Sequence, residues 1–279
     1  MPELPEVETI KRVLTGHLPG RCIERVLVRD SRLRWPVDES KLQRLVVGHQ
    51  IHGIDRRAKY LLFHLSNENT LILHLGMSGR LLMIRDLEPW HKHDHVIFYF
   101  DDQTELRFRD PRRFGLVDAV SKGALKTYPR FIKLGFEPLA PGVSSEKLFA
   151  KVRNLKRPIK NLLMDANFIV GIGNIYANEA LFQAGIHPAT PSNQISQSDW
   201  QKLLHEIQDV LKRAIKHGGT TLNDFVNSNG EIGYFQLSLS VYGKEGENCP
   251  RCQTKIERFV QVGRSTYFCP GCQRRIAYS

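Results

Sequence analysis

Polar and apolar positions along the 279 residues change period twice, and the changes divide the chain. At the start, Val7, Ile10, Val13 and Leu14 recur three or four apart. Pro5 suits a first turn, Glu6 and Glu8 suit the positive end of a helix dipole, and Gly16 to Gly20 end the pattern, so a helix is expected. From about Cys22 to Val120 the runs CIERVLVR, YLLFHL, TLILHL, HVIFYF and TELRFR, parted by turn formers, read as strands of a sandwich or barrel. Residues 134–143, LGFEPLAPGV, hold two prolines and two glycines without periodicity and form the expected hinge linker. Beyond it SSEKLFAKVRN, PIKNLLM, NIYANEALFQAG and SDWQKLLHEIQDVLKRAIKHGG have helical spacing, the last capped by Ser198-Asp199 and stopping at Gly218-Gly219. The expectation is an α+β protein with a helix-plus-strand domain at 1–133, the hinge, a helical domain at 144–243 and a short turn-rich tail at 244–279.

Charge narrows the partner. Lys and Arg number 40 against 29 Asp and Glu, giving +11 and a pI near 9.5, which favours a polyanion over a small neutral ligand. A generically basic protein is the plain alternative. No run of 18 apolar residues occurs, and the chain opens with three glutamates within eight residues, not with a basic stretch followed by an apolar one. Neither a membrane span nor a signal peptide is expected, and the expected compartment is the cytoplasm.

Cysteine adds a sharper signal. Cys249, Cys252, Cys269 and Cys272 form two C-x2-C pairs sixteen residues apart, with Cys22 alone far upstream. Paired knuckles of this spacing bring four thiolates tetrahedrally around one structural Zn²⁺ and leave no open position for chemistry. A tail this short buries little core, so the metal supplies its folding energy. The intervening QTKIERFVQVGRSTYF alternates like a hairpin bent near Gly263, and residues 244–279 carry seven basic and three acidic side chains. Arg264, beside the bend, is a candidate phosphate clamp, because a guanidinium can bridge two phosphate oxygens.

The opening Met1-Pro2-Glu3 suggests a nucleophile. A small second residue permits methionine removal, which leaves a free secondary amine at Pro2. An α-amine titrates at about 7.7–8.0 against about 10.4 for lysine, so near neutral pH a much larger share of it is unprotonated. Proline's amine is more basic than a typical α-amine and needs a nearby Lys or Arg to lower it. Such an amine attacks a sugar C1′, expels the base and forms an iminium that acidifies the C2′ proton, with Glu3 adjacent for acid–base work. The competing reading is an ordinary helix start.

With PELPEVET, RRAKYLL at 56–62, HLGMSG at 74–79, DPRRFG at 110–115, GIGNIYANE at 171–179 and the cysteine tail in view, nearly the whole chain resembles the bacterial formamidopyrimidine-DNA glycosylases. The resemblance implies an N-terminal helix plus β-sandwich, a helix-two-turn-helix domain and a β-hairpin zinc finger. It implies a bifunctional glycosylase and abasic-site lyase that excises oxidised purines from duplex DNA by β,δ-elimination through a Schiff base on Pro2, with Glu3 as acid/base. Lys59, His74, Asn174 and Arg264 match positions that hold phosphates around the damaged nucleotide, with Lys59 and Arg264 also in the catalytic set beside Pro2 and Glu3, and Glu6 matches a residue lining the damaged-base pocket. Met77, Arg112 and Phe114 match the residues that fill the gap left by a flipped base, an exchange that offsets the few kcal/mol of lost stacking. Core packing is the alternative for Met77 and Phe114, although Gly76, Gly79 and Pro111 around them read as exposed turns.

In GIGNIY, glycines permit close backbone approach and Asn174 opens a helix whose N–H groups suit a phosphate. The HKHDH run at 91–95 looks like a metal motif, but the family places no catalytic metal there and Lys92 would repel a cation, so a phosphate-facing or a structural role is expected, with His93 counted among the DNA-binding residues. The chain departs from the family at Asn223, where a basic residue is common, and at Glu231-Ile232, where Lys-Pro is common. A non-catalytic zinc-finger binder of damaged DNA, and an endonuclease VIII-like enzyme for oxidised pyrimidines, are the other functions considered. A monomer is the default, since one active site on DNA requires no symmetry.

Overall fold

A computed structural model describes residues 2–85, 88–218 and 239–273, which fall into two compact units, the first with residues 2–85, 88–132 and 218 and the second with residues 133–217 and 239–273. Asn223 and Glu231-Ile232 lie outside the described residues.

In the first unit α1 (Leu4–Thr15) precedes eight antiparallel strands: β1 (Cys22–Val28), β2 (His49–Arg57), β3 (Tyr60–Leu65), β4 (Thr70–His74), β5 (Arg80–Ile84), β6 (Asp94–Phe100), β7 (Glu105–Arg109) and β8 (Leu116–Val120). Their order is β5-β7-β6-β1-β2-β3-β4-β8, and β1 meets β2 through only two residue pairs, Cys22 with Gln50 and Ile23 with His49. That narrow seam divides the strands into two four-stranded faces of a sandwich around Phe63, Phe98, Phe108, Leu61 and Val96. Each such side chain stabilises by about 1.5–3 kcal/mol when removed from water. Val7, Ile10 and Leu14 of α1 enter the same core.

A second helix, α2 (Glu39–Val46), interrupts the run of strands expected for this region. Asp38 caps it by accepting the Lys41 N–H at 2.9 Å, and only Leu42 and Val46 are buried, so its apolar signal is too brief to stand out. Strands β2, β5 and β8 are likewise irregular in pattern, because β2 carries polar residues at most positions and the other two are five residues long.

The second unit contains α3 (Ser145–Val152), α4 (Ile159–Leu163), α5 (Asn174–Ala184) and α6 (Gln197–Lys216), followed by the hairpin β9 (Glu257–Gln261) and β10 (Arg264–Phe268). The cap of α6 is Ser196, whose Oγ accepts the Asp199 N–H at 3.1 Å; Ser198, expected at the cap, lies inside the first turn. Trp200, Leu203, Ile207, Val210, Leu211 and Ala214 form its buried stripe, and Trp200 packs edge-on to Phe168. Central α5 is buried from Tyr176 through Phe182. Glu179, within it, accepts the N–H groups of Ser240, Val241 and Tyr242, each at 2.9 Å, and so ties the chain entering the finger to the helix. Arg251 of the finger donates to the carbonyls of Phe182 and Gln183 at the open end of α5. Gly135 and Phe136 bond to Ala166 and Phe168, which anchors the start of this unit.

Candidate functional site

In the first unit the N-terminal segment is held by its own helix. Pro2 is half-buried and Glu3 buried, and the Glu3 N–H donates to Glu6 Oε2 at 2.7 Å, the return half of a capping box. Glu6 is buried too and has this structural job. One turn on, Glu8 accepts Arg56 Nε at 2.9 Å, and Arg56 Nη1 donates to the Ala58 carbonyl at 2.9 Å. Burial pushes the Glu8 carboxyl upward, but Arg56, Lys11 and Arg12 overcome it and hold it below the usual range. The clamp fastens α1, and with it Pro2, to the two-residue turn Ala58-Lys59 between β2 and β3.

His74 ends β4 opposite Tyr60, with ring centroids 4.6 Å apart. Its Nδ1 accepts the Gly76 N–H at 3.0 Å, which leaves the proton of the neutral ring on Nε2 as a donor. Burial, then Lys59, Arg34 and Arg130, lower its pKa from 6.5 to about 4. Three cations acting on a neutral imidazole make a positive local potential suited to a phosphate. Because the folded pKa lies below the unfolded one, the stability this group contributes is complete above pH 6.5 and is lost as pH falls toward 4. The His74→Gln variant, which keeps a donor but does not titrate, is expected to lose on the order of 2–3 kcal/mol less than wild type between those limits, measured by urea unfolding at pH 7 and pH 4.5. Equal losses would refute the assignment.

Met77 and Phe114 are 40% and 38% exposed, and Arg112 is exposed with its guanidinium carbon 4.9 Å from the Phe114 ring centroid. The exposed-turn reading of these positions therefore stands over core packing. Asp110, fully buried, joins their two loops: one oxygen accepts Ser78 Oγ at 2.6 Å and the other the Gly115 N–H at 2.7 Å, while the Arg112 N–H donates to Ser78 Oγ at 3.1 Å. Gly76, at φ +59°, lies so close to Phe114 that an added Cβ would stand 2.4 Å from its carbonyl carbon. The loops are interlocked at backbone level, and side chains project from a fixed base.

His93 is half-exposed beside exposed His91 and Lys92. His95, in β6, is buried with Nε2 2.8 Å from the Asp110 carbonyl. The four finger cysteines are the only group of three or more potential ligands brought together among the described residues, so the HKHDH run is no such centre.

In the second unit Arg264 is exposed beside a two-residue turn, Val262-Gly263, with φ of 48° and 69°. Positive φ at both positions marks the type I′ turn that matches strand twist, which glycine accepts freely and β-branched valine does not. The next carbonyl, of Ser265, accepts Lys160 Nζ at 3.0 Å and Asn174 Nδ2 at 3.0 Å, and Lys160 also donates to Thr266 Oγ1 at 2.7 Å. Asn174 thus links the start of α5 to the residue next to Arg264. Its Oδ1 is buried without a protein partner. Lys160 is 1% exposed, and its only signal in the sequence is a charge inside the apolar run of α4.

The cysteine sulfurs all lie within 4.8 Å of one another, with Cys249 and Cys272 3.8 Å apart and Cys252 and Cys269 3.4 Å apart. A tetrahedron with metal–sulfur bonds of about 2.3 Å has edges of about 3.8 Å, so the set fits one Zn²⁺. The Arg251 N–H points to Cys249 Sγ at 3.4 Å, the amide-to-sulfur contact of a knuckle. With the metal in place the finger has a fixed core, and Cys249, Ile256 and Cys269 pack on Phe182 of α5.

Comparison with known proteins agrees along the whole length. Residues 1–117 match the model for the formamidopyrimidine-DNA glycosylase N-terminal domain, 134–226 that for the formamidopyrimidine-DNA glycosylase H2TH domain, and 246–275 that for a zinc finger found in FPG and IleRS. The formamidopyrimidine-DNA glycosylase of Laribacter hongkongensis is 45% identical over 98% of this chain and all of that protein, and that of Paraburkholderia phymatum 47% over the same shares. Among solved structures, Lactococcus lactis Fpg bound to abasic-site DNA aligns with a TM-score of 0.89 at 35% identity, covering 98% of this chain and 100% of that one. The same bacterium's Fpg with a FAPY-dG containing DNA aligns with a TM-score of 0.87 at 34% identity, over the same shares.

Proposed function

We infer, for a chain that belongs to the formamidopyrimidine-DNA glycosylase family, that Pro2 is the nucleophile of a base-excision enzyme acting on oxidised purines. The chain is a DNA glycosylase of base excision repair with abasic-site lyase activity, it binds damaged duplex DNA, and it carries one structural Zn²⁺ in its finger. No described helix is long and apolar enough to cross a membrane. We place the enzyme in the bacterial cytoplasm with the nucleoid.

In the proposed reaction the Pro2 nitrogen lone pair bonds to C1′ of the damaged nucleotide, the bond from C1′ to the base breaks, and the base leaves with a proton. Opening of the C1′–O4′ bond gives an iminium, with Glu3 handling the proton at O4′. Loss of the C2′ proton expels the 3′ phosphate, a second elimination expels the 5′ phosphate, and water releases the amine. Lys59 and His74 serve the phosphate and the local potential, Asn174 and Arg264 the flanking phosphates, and Met77, Arg112 and Phe114 the vacated stack. Glu6 lines the base pocket, and residues 134–143 are the hinge linker. The observation that supports this reading best is the Glu8–Arg56 clamp, which ties the half-buried Pro2-Glu3 start to the Lys59 turn.

The test is single-turnover excision on duplexes carrying 8-oxoguanine opposite cytosine, an oxidised pyrimidine, an abasic site or no lesion. Release of 8-oxoguanine well ahead of the pyrimidine lesion, with both flanking phosphates cut, is expected. Faster release of the pyrimidine would move the enzyme to the endonuclease VIII-like class, and reaction at the abasic site alone would leave a lyase without the proposed substrate.

A further inference from the structure

The loop entering β6, residues 88–94, is held from three sides although it lies outside the sandwich core. Arg107 of β7, 1% exposed, pairs with Glu105 at 2.6 Å and donates to the carbonyls of Pro89 at 3.2 Å and Glu88 at 2.8 Å. Arg29 donates to the carbonyls of His91 at 2.9 Å and Asp94 at 3.1 Å, and its guanidinium carbon lies 5.0 Å from the Trp90 ring centroid. The buried Asp94 carboxylate accepts the His91 N–H at 2.8 Å and Arg109 Nε at 2.6 Å. So many charge-assisted bonds to a short backbone segment fix its shape before any ligand arrives.

The side chains this frame presents are basic. His91 and Lys92 are exposed and His93 half-exposed, and Glu88 is the only acid among residues 88–93. The His91 and His93 rings lie 5.2 Å apart, and the His93 N–H donates to His91 Nδ1 at 3.2 Å. A ring nitrogen that accepts carries no proton, so His91 Nε2 is the N–H donor of that ring. The Asp110 N–H donates to the His93 carbonyl at 3.0 Å, and the Asp110 carboxylate holds the loops of Met77, Arg112 and Phe114. The basic edge and the wedge therefore share one rigid base within the first unit.

We propose that His91 Nε2 and Lys92 form, beside His93, a preformed contact for a DNA phosphate flanking the lesion, extending the DNA-binding surface beyond the residues assigned to it above. This rests on the reading of the wedge loops as facing DNA. A backbone contact does not sense the base, so it serves lesion-bearing and undamaged duplex alike.

Binding of the full-length protein to both duplexes, with His91→Ala and Lys92→Ala variants, tests it. The exposed His91 side chain is remote from the core, and its loss is expected to raise Kd by about 3- to 10-fold for both duplexes, with kcat at saturating DNA unchanged. Lys92→Ala is expected to reduce the slope of log affinity against log salt by about 0.9. Single methylphosphonate replacements along the flank locate the phosphate: at one position the replacement weakens wild type but not His91→Ala. Unchanged Kd for His91→Ala, or methylphosphonate sensitivities identical to those of wild type, overturns the inference and leaves the Pro2 chemistry standing. Failure of the wild type itself to bind lesion duplex overturns the functional reading and this inference together.

Discussion

A preparation in which Met1 is retained, or Pro2 is acetylated, is expected to bind lesion-bearing duplex with unchanged affinity and to cut it at under about a thousandth of the rate of the processed enzyme. Borohydride, which reduces an iminium to a stable amine, is expected to trap the processed enzyme on DNA through Pro2 and to trap neither blocked form. The size of the effect follows from the role: a blocked nitrogen is an amide, whose lone pair is delocalised into the carbonyl and cannot form the bond to C1′, and no described neighbour offers another secondary amine. Mass spectrometry of the N-terminus fixes which form is present. Trapping by a blocked form, or an adduct mapping to a lysine such as Lys59, would remove Pro2 from the mechanism. The packing of α1 makes the experiment clean, because Leu4, Val7, Ile10 and Leu14 anchor the helix independently of residue 1.

Removal of zinc is expected to have the second largest effect. Structural Zn²⁺ contributes about 10–16 kcal/mol to small finger units, more than the stability left in a tail of this size. Cys269→Ala, or exposure to a strong chelator, is expected to unfold residues 244–273 and to weaken DNA binding at least about 100-fold. Unfolding releases the Ser265 carbonyl from Lys160 and Asn174, and with it the fixed base of Arg264. Limited proteolysis and metal analysis follow the finger, while thermal unfolding follows the sandwich, whose transition is expected to persist. Undiminished DNA affinity in a protein shown to be zinc-free would separate the finger from binding.

Much of the fold was legible along the chain wherever a local pattern coincides with burial. The short apolar runs YLLFHL and HVIFYF became β3 and β6 because their nearly continuous apolar residues are buried in the sandwich, and the long α6 stripe was visible because its apolar residues are buried too. Where an element is short or mostly polar the pattern is silent, as in α2 with two buried residues. The cap of α6 moved by two residues because Ser196 and Ser198 are both competent oxygens, and only backbone conformation decides which one meets the Asp199 N–H.

The sequence by itself determined the chemistry on offer: a proline amine behind a removable methionine, four thiolates at zinc spacing, a basic balance, and the motifs that mark the family. These depend on residue type and separation, which the covalent chain already contains. Tertiary structure alone decided what holds those groups in place. Asp110 beneath the wedge loops, the Glu8–Arg56 clamp, Glu179 on three amides, and Lys160 with Asn174 on the Ser265 carbonyl join residues far apart along the chain: 32 positions for Ser78 and Asp110, 48 for Glu8 and Arg56, 61 for Glu179 and Ser240, and 105 for Lys160 and Ser265. A charged residue in a list of neighbours gives no sign of which distant carbonyl or amide it will meet. Only burial, which makes an unpaired charge costly and a paired one directional, turns Asp110 and Lys160 from ordinary polar positions into the supports of the site.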